Sequence, residues 1–320
     1  MNAADQPDCA GVARARRHIG ALAGLAALIL AAMTIAGPRA AAQGLVVGAK
    51  DFTEQLLVAE MTTQLLRAKG FRVHAGAGFT TGGVRRAHEA GVVDVYWEYT
   101  GTSLTAFHGV RDKLAPDEAY ARVKHLDAEK GLVWLRPSKV NNTYALAMRR
   151  ADAANRGIES ISDLAAKARA GERFTLATNG EFLVRPDGLG PLQQAYGFAF
   201  EHEAVTTMAT GAVYDALQRS SSFDVGVVFA TDGRVPAFDL RLLRDDRSFF
   251  PSYFLAPVVR RTTLEQHPEL APLLEGLAAR LDDATMADLN AMVDVHKRTV
   301  EDVAADFLRN SGLLAETPTP

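Results

Sequence analysis

The chain reads as an α/β protein of two lobes, each a mostly parallel sheet flanked by helices. Three observations lead there. Short β-branched runs alternate with amphipathic stretches from residue 45 onward, the pattern of strand–helix units. The alternation runs as two successive series that meet near residues 141–143. A closing quarter of helices is long enough to return to the first series, so the lobes are joined by two chain crossings. A length of 320 residues suits such a pair better than one small core.

In order, 45–49 (LVVGA) reads as a strand leading into a helix, with Asp51 and Glu54 as a capping-box-like start. Leu56, Leu57, Met61, Leu65 and Leu66 fall on one helical stripe that Gly70 ends. A strand at 71–74 is followed by a turn at 80–83 and a short helix at 84–90. A strand over 92–97 and helices near 100–107 and 116–130 follow, then strands at 132–135 and 143–148. The second series places helices at 161–170, 188–196 and 211–220 between strands at 174–178, 201–206 and 224–229. Short strands at 240–243 and 256–260 precede helices at 262–266, 269–281, 284–293 and 299–309. Asp282 and Thr299 stand where the last two need caps.

The first 42 residues stand apart. Arg14, Arg16 and Arg17 precede an uncharged run, 19–36, and Ala40-Ala41-Ala42 follows. This is the pattern of a cleaved secretory signal peptide; the dense Ala and Gly content weighs against a membrane anchor. The single cysteine, Cys9, precedes the run, so the mature chain carries no thiol for disulfides, metal or nucleophilic chemistry. Cleavage removes four arginines and two aspartates, shifting the net charge from −3 to −5. A mildly acidic exported chain is a poor nucleic-acid binder. With 48% apolar and 23% charged residues it is neither disordered nor a multi-span membrane protein.

Enzyme signatures are absent: no G-x-S-x-G, no H-E-x-x-H and no Walker loop. The run 76–82 resembles a dinucleotide fingerprint with one residue too many, and a glycine-rich turn accounts for it. The eight histidines are scattered, without a ligand pair. No cofactor or metal is expected.

Ligands of open α/β sheets sit at the carboxyl ends of strands, so the polar and aromatic residues there are the candidates. Lys50 follows the first strand and precedes a helix N-terminus; Arg185, in R-P-D-G, leaves the 174–178 strand by a short loop. Tyr99 and Phe229 close two strands, and Tyr253 precedes a third. Asn141 and Asn142 sit at the expected first crossing, before a strand carrying Tyr144. In YWEYTGT (96–102) the strand period sends Tyr96 and Trp97 to opposite faces, which reads as packing. Glu98 is expected to hold the loop in shape. Aromatic faces converging on one cleft suit a quaternary ammonium, which has no hydrogen to donate.

VVGAKDFTEQLLVAE, DVYWEYTGTSL, NNTYALAMR, EFLVRPDGL, FATDGRV and LDDATMADLN together resemble the substrate-binding proteins of osmoprotectant ABC importers, the glycine betaine/choline-binding group. The resemblance covers essentially the whole chain after residue 45. It implies a bilobal type II periplasmic-binding-protein fold: two Rossmann-like lobes joined by two hinge crossings, lobe I being 43–142 plus 252–320 and lobe II 143–251. It also implies a site with Tyr99, Tyr144, Phe229 and Tyr253 as aromatic walls, Thr102 and Asn142 as polar contacts, and Lys50 and Arg185 as carboxylate clamps. Phe229 stands where many family members carry Tyr. The implied protein is a monomeric periplasmic receptor that captures a quaternary amine and delivers it to an inner-membrane ABC permease, without catalysis. Two other readings suit the same residues: the same receptor binding an amino acid or other small zwitterion, and an exported enzyme with Glu98 and Asp232 as an acid/base pair.

Overall fold

The computed structural model describes residues 44–219 and 221–314. The expected signal peptide lies outside the described residues. Among the described residues ten strands form two five-stranded sheets: β1 (Leu45–Lys50), β2 (Val73–Phe79), β3 (Val95–Tyr99), β4 (Leu132–Trp134), β5 (Tyr144–Arg149), β6 (Leu176–Thr178), β7 (Val205–Thr207), β8 (Val225–Phe229), β9 (Leu240–Leu242) and β10 (Leu255–Arg260). The first sheet has the order β2-β1-β3-β10-β4 and the second β7-β6-β8-β5-β9.

Both sheets obey one rule. β1 runs parallel to β2 and β3, and β6 runs parallel to β7 and β8, so their carboxyl ends share an edge. The strand arriving from the other lobe enters at that edge and must run the opposite way. β5 is antiparallel to β8 and β9, and β10 is antiparallel to β3 and β4. The register follows: the first residue of β5, Tyr144, faces the last of β8, Phe229, and Leu255 faces Tyr99. Residues far apart in sequence therefore meet where the lobes face each other.

β3 is buried along its whole length, in keeping with a central strand covered on both faces. Tyr96 packs with Val84, Val93 and Trp134 on one face; Trp97 packs with Leu57, Met61 and Leu65 on the other, its Nε1 donating to Thr62 Oγ1 at 2.9 Å. The expected helical stripe is buried in the Thr53–Ala68 helix, except that Leu56 is only half-covered. The helices Asp283–Asp294 and Val300–Asn310 return to pack on Thr53–Ala68. Their caps are the expected ones: Asp282 accepts from Thr285 N at 2.8 Å and Thr299 from Asp302 N at 3.1 Å.

Several local expectations change. Asp51 does not cap the first helix: Phe52 holds the N-cap position without a side-chain bond, and Glu54 turns inward. β2 continues through Gly76 and Gly78 to Phe79, so that glycine run is strand, not turn. As an edge strand paired on one side, β2 tolerates the glycines. The helix over Thr81–Glu89 starts earlier than expected because Thr80 caps it. The expected 201–206 strand is a 3₁₀ turn, His202–Ala204, followed by β7. Short helices at Arg150–Arg156, Gly180–Val184 and Arg234–Ala237 had no sequence counterpart.

Candidate functional site

Between the facing sheet edges lies a cavity of about 450 Å³. All eight sequence-predicted residues line it: Lys50, Tyr99, Thr102, Asn142, Tyr144, Arg185, Phe229 and Tyr253. Six of them come from a strand end or a crossing; Thr102 lies in the short helix that follows β3, and Arg185 ends the Gly180–Val184 helix that follows β6.

The rings form a continuous wall. Tyr144 stands 4.9 Å from Phe229 and 6.1 Å from Tyr253, nearly perpendicular to the latter at 77°. Phe52, which the sequence reading passed over, closes the remaining side. Its ring lies 5.4 Å from Phe229 and 6.4 Å from Tyr99, within 26° of parallel to both. Tyr253 reaches its place because residue 101 is glycine: a Cβ there would stand 2.7 Å from Ser252 O and 2.8 Å from the Tyr253 ring. Phe182 and Phe250 support Tyr144 from behind, at 5.1 and 6.4 Å.

The two candidate cations line this wall, but each already has an internal partner. Lys50 Nζ lies 2.5 Å from Glu98 Oε1, with both side chains at most 3% exposed, and 5.0 Å from the Tyr99 ring. Glu98 also accepts from Tyr99 N at 2.7 Å and Tyr96 Oη at 3.3 Å, and lies behind the cavity wall. Arg185 forks onto Asp187 at 2.7 and 2.8 Å, and its third nitrogen donates to Glu181 at 2.9 Å. Against the burial that raises it, Arg185 and Tyr253 hold the Asp187 carboxyl below the usual range. Asp187 also accepts from Thr105 at 3.1 Å and from the Tyr253 hydroxyl, which ties the second lobe to the first. Arg234 grips Asp232 at 2.9 and 2.6 Å and reaches Asp294 at 3.2 Å. Glu98 and Asp232, the pair considered for acid/base chemistry, are thus both held in ion pairs.

Among the described residues Glu54 has no cation partner. Its buried carboxylate accepts from Thr231 Oγ1 (2.6 Å), Tyr99 Oη (2.7 Å), Asn142 Nδ2 (3.0 Å) and Asn290 Nδ2 (3.4 Å). Burial raises its pKa against these four donors. Burial, then the charge of Glu54, pushes the Tyr99 hydroxyl far up, so Tyr99 stays a neutral donor. The crossing amides do more than satisfy turn carbonyls. Asn141 Oδ1 accepts from Tyr253 N at 2.7 Å, and Asn142 N donates to Tyr253 O at 3.3 Å, so the two crossings are bonded to each other. Across the cleft, the loop after β8 presses on the returning helix: a Cβ at Gly233 would stand 2.5 Å from Ala291 Cβ and 2.6 Å from Ala287 O.

Two α/β lobes, two bonded crossings and a cleft at the strand ends define the type II periplasmic-binding-protein fold, a ligand-capturing class. Comparison with known proteins gives the particular family. Residues 43–310 match the family described as the substrate binding domain of ABC-type glycine betaine transport systems, and the chain belongs to it. It is 44% identical over 281 residues to the glycine-betaine-binding protein of Pseudomonas aeruginosa, covering 86% of this chain and 90% of that one. The solved apo structure of YehZ from Escherichia coli superposes with a TM-score of 0.64 at 33% identity, covering 85% of this chain and all of that one. A glycine betaine/carnitine/choline ABC transporter structure gives 0.70 at 26% identity over 84% of this chain and 99% of that one.

Proposed function

We propose that the chain is an exported receptor that captures a quaternary amine between its lobes, 43–142 plus 252–320 and 143–251, and delivers it to an ABC permease of the inner membrane. Residues 1–42 direct it to the periplasm and are removed there, and it acts as a monomer without catalysis. The observation that carries this reading is the ring wall of Phe52, Tyr99, Tyr144, Phe229 and Tyr253 around one cavity. A trimethylammonium group cannot replace its lost water through hydrogen bonds. Ring faces compensate at roughly 0.5–2 kcal/mol each, more as the cleft closes and dries. Phe229 keeps that face while lacking a hydroxyl.

Thr102, Lys50 and Arg185 face the polar end of the ligand. Because both cations are paired within the protein, a short ligand's carboxylate shares them with Glu98 and Asp187. An amino acid is the weaker alternative. Its ammonium needs acceptors, and the buried carboxylate of Glu54 already receives four donors. Titration calorimetry with glycine betaine, choline and a neutral tert-butyl isostere of choline tests the reading. Binding of the quaternary amines but not the isostere supports it. Binding of an amino acid with silence from every quaternary amine overturns it.

A further inference from the structure

The cavity is larger than glycine betaine requires. That molecule has eight non-hydrogen atoms; allowing each a water molecule's share of volume, roughly 30 Å³, it fills no more than about 240 Å³. The cavity offers about 450 Å³. The sheet order shows where the surplus lies. Tyr144 and Phe229 stand over β5 and β8; beyond them come β6 and then β7, at the far edge. The residues that leave those two strands are not aromatic: Asn179 follows β6, and Met208 to Gly211 follow β7. In the first sheet Thr80 and Thr81 leave β2, again the edge strand, and Thr81 Oγ1 meets Glu181 across the cleft at 3.0 Å. The cleft therefore has an aromatic chamber over the inner strands and a polar one over the outer strands.

The polar chamber holds unused donors. Asn179 is 7% exposed, and its Oδ1 accepts from Phe182 N at 2.9 Å, but its Nδ2 donates to no protein atom among the described residues. Beside it the ten-residue helix Thr210–Arg219 begins at the cavity wall, with Ala209, Thr210 and Gly211 lining it. First-turn amides of a helix have no acceptor within it and carry partial positive charge. Glu181, which lines the same cavity, is engaged by Arg185 at 2.9 Å and by Thr81 at 3.0 Å. An unpaired amide and a helix N-terminus together make a carboxylate seat, without the competition that a carboxylate meets at Lys50 or Arg185.

We infer that the site is built for an extended quaternary amine whose trimethylammonium group sits among the rings and whose tail carboxylate reaches Asn179 and the N-terminus of the 210–219 helix. The inference rests on the quaternary-amine reading above. Neighbouring strands stand roughly 4.8 Å apart, so the distance from the β8 column to the β7 column is about 10 Å. Glycine betaine separates its nitrogen and carboxylate oxygens by three bonds, about 3.5 Å, and stops in the aromatic chamber. A six-carbon ω-trimethylammonio acid spans seven bonds, about 8.5 Å, and reaches the polar one.

Calorimetry with glycine betaine, 4-trimethylammoniobutyrate and 6-trimethylammoniohexanoate tests this on the wild type and on Asn179→Asp. The substitution keeps the oxygen that caps Phe182 N and replaces the free amide with a repelling carboxylate. Affinity is expected to rise at least about tenfold from the shortest to the longest ligand. Asn179→Asp should erase that gain while leaving glycine betaine within about threefold. Glycine betaine binding as tightly as the longer acids overturns the inference and leaves the quaternary-amine reading standing. So does an equal loss for all three ligands in the variant, which assigns Asn179 a structural role only. If no trimethylammonium compound of any length binds, both readings fall.

Discussion

Replacing Lys50 with methionine leaves Glu98 buried without its counter-charge. The two groups are 2.5 Å apart, with side-chain exposures of 3% and 0%, so water cannot take over from the lysine. Breaking one partner of such a pair costs about 3–5 kcal/mol. Glu98 retains the Tyr99 amide and Tyr96 hydroxyl as donors, which puts the loss at the lower end, about 3 kcal/mol. With a urea m-value near 3 kcal/mol/M, the unfolding midpoint of purified Lys50→Met falls by about 1 M. Glu98→Gln alone leaves a buried ammonium and falls similarly. The double variant carries neither of these two buried charges and should return to within about 1 kcal/mol of wild type. Circular dichroism in urea measures all four proteins. Single variants indistinguishable from wild type, or a double variant losing the sum of the two, would refute the claim that Lys50 is engaged by Glu98 rather than held free for ligand.

Phe52→Leu keeps an apolar side chain but removes one ring face. It should weaken a quaternary amine by about 0.5–2 kcal/mol, roughly 2- to 30-fold in Kd by calorimetry, with no matching effect on a tert-butyl isostere. Gly233→Ala drives a methyl group onto Ala291 and the backbone of the returning helix. An overpacking cost of about 1–3 kcal/mol should lower Tm by several degrees and weaken ligand affinity, because the loop after β8 is pushed away from the cleft. Glu54 sets a pH dependence. Burial raises its folded pKa above the ordinary 4.5, so between those two values the folded state holds a proton that the unfolded state has lost. Stability from this group is therefore present below the unfolded value and declines as pH rises through the folded one. Wild type should lose stability relative to Glu54→Gln as pH rises from about 4 to 8 in urea melts; parallel curves would contradict it.

The site was legible in the sequence to the extent that strand ends were. Tyr99, Tyr144, Phe229 and Tyr253 were legible singly, as rings at strand ends and beside a crossing; that they share one cleft came from the family resemblance, and the antiparallel register of β5 and β10 supplies the physical reason. Phe52 was missed because residues 51–54 look like a helix start, and sequence does not say that the cap position is filled by a ring aimed into the cleft. Asn290 and Asp294 enter from the returning helix, whose rotation about its axis is set by packing on Thr53–Ala68. The engagement of Lys50 was similarly hidden: Glu98, 48 residues on, becomes its neighbour only once β3 is in place beside β1. Among the short strands β7 was the least legible, whereas β4 and β9, equally short, were read to within a residue. β7 is three residues long and leans on its pairing with β6 rather than on its own propensity.

The position of β10 also governs when the molecule can work. Among the described residues β4 joins the first sheet only through β10, which slots between it and β3. A chain emerging from its N-terminus can assemble β2-β1-β3 early but must leave β4 without a neighbour. The second sheet, all of whose strands lie between Tyr144 and Leu242, can be finished in the meantime. Only when Leu255–Arg260 arrives does the first sheet close, and the same event sets Tyr253 against Gly101 as the final ring of the wall. A chain that stops before Tyr253 therefore lacks that ring, β10 and the returning helix that carries Asn290 and Asp294, and its cleft is incomplete.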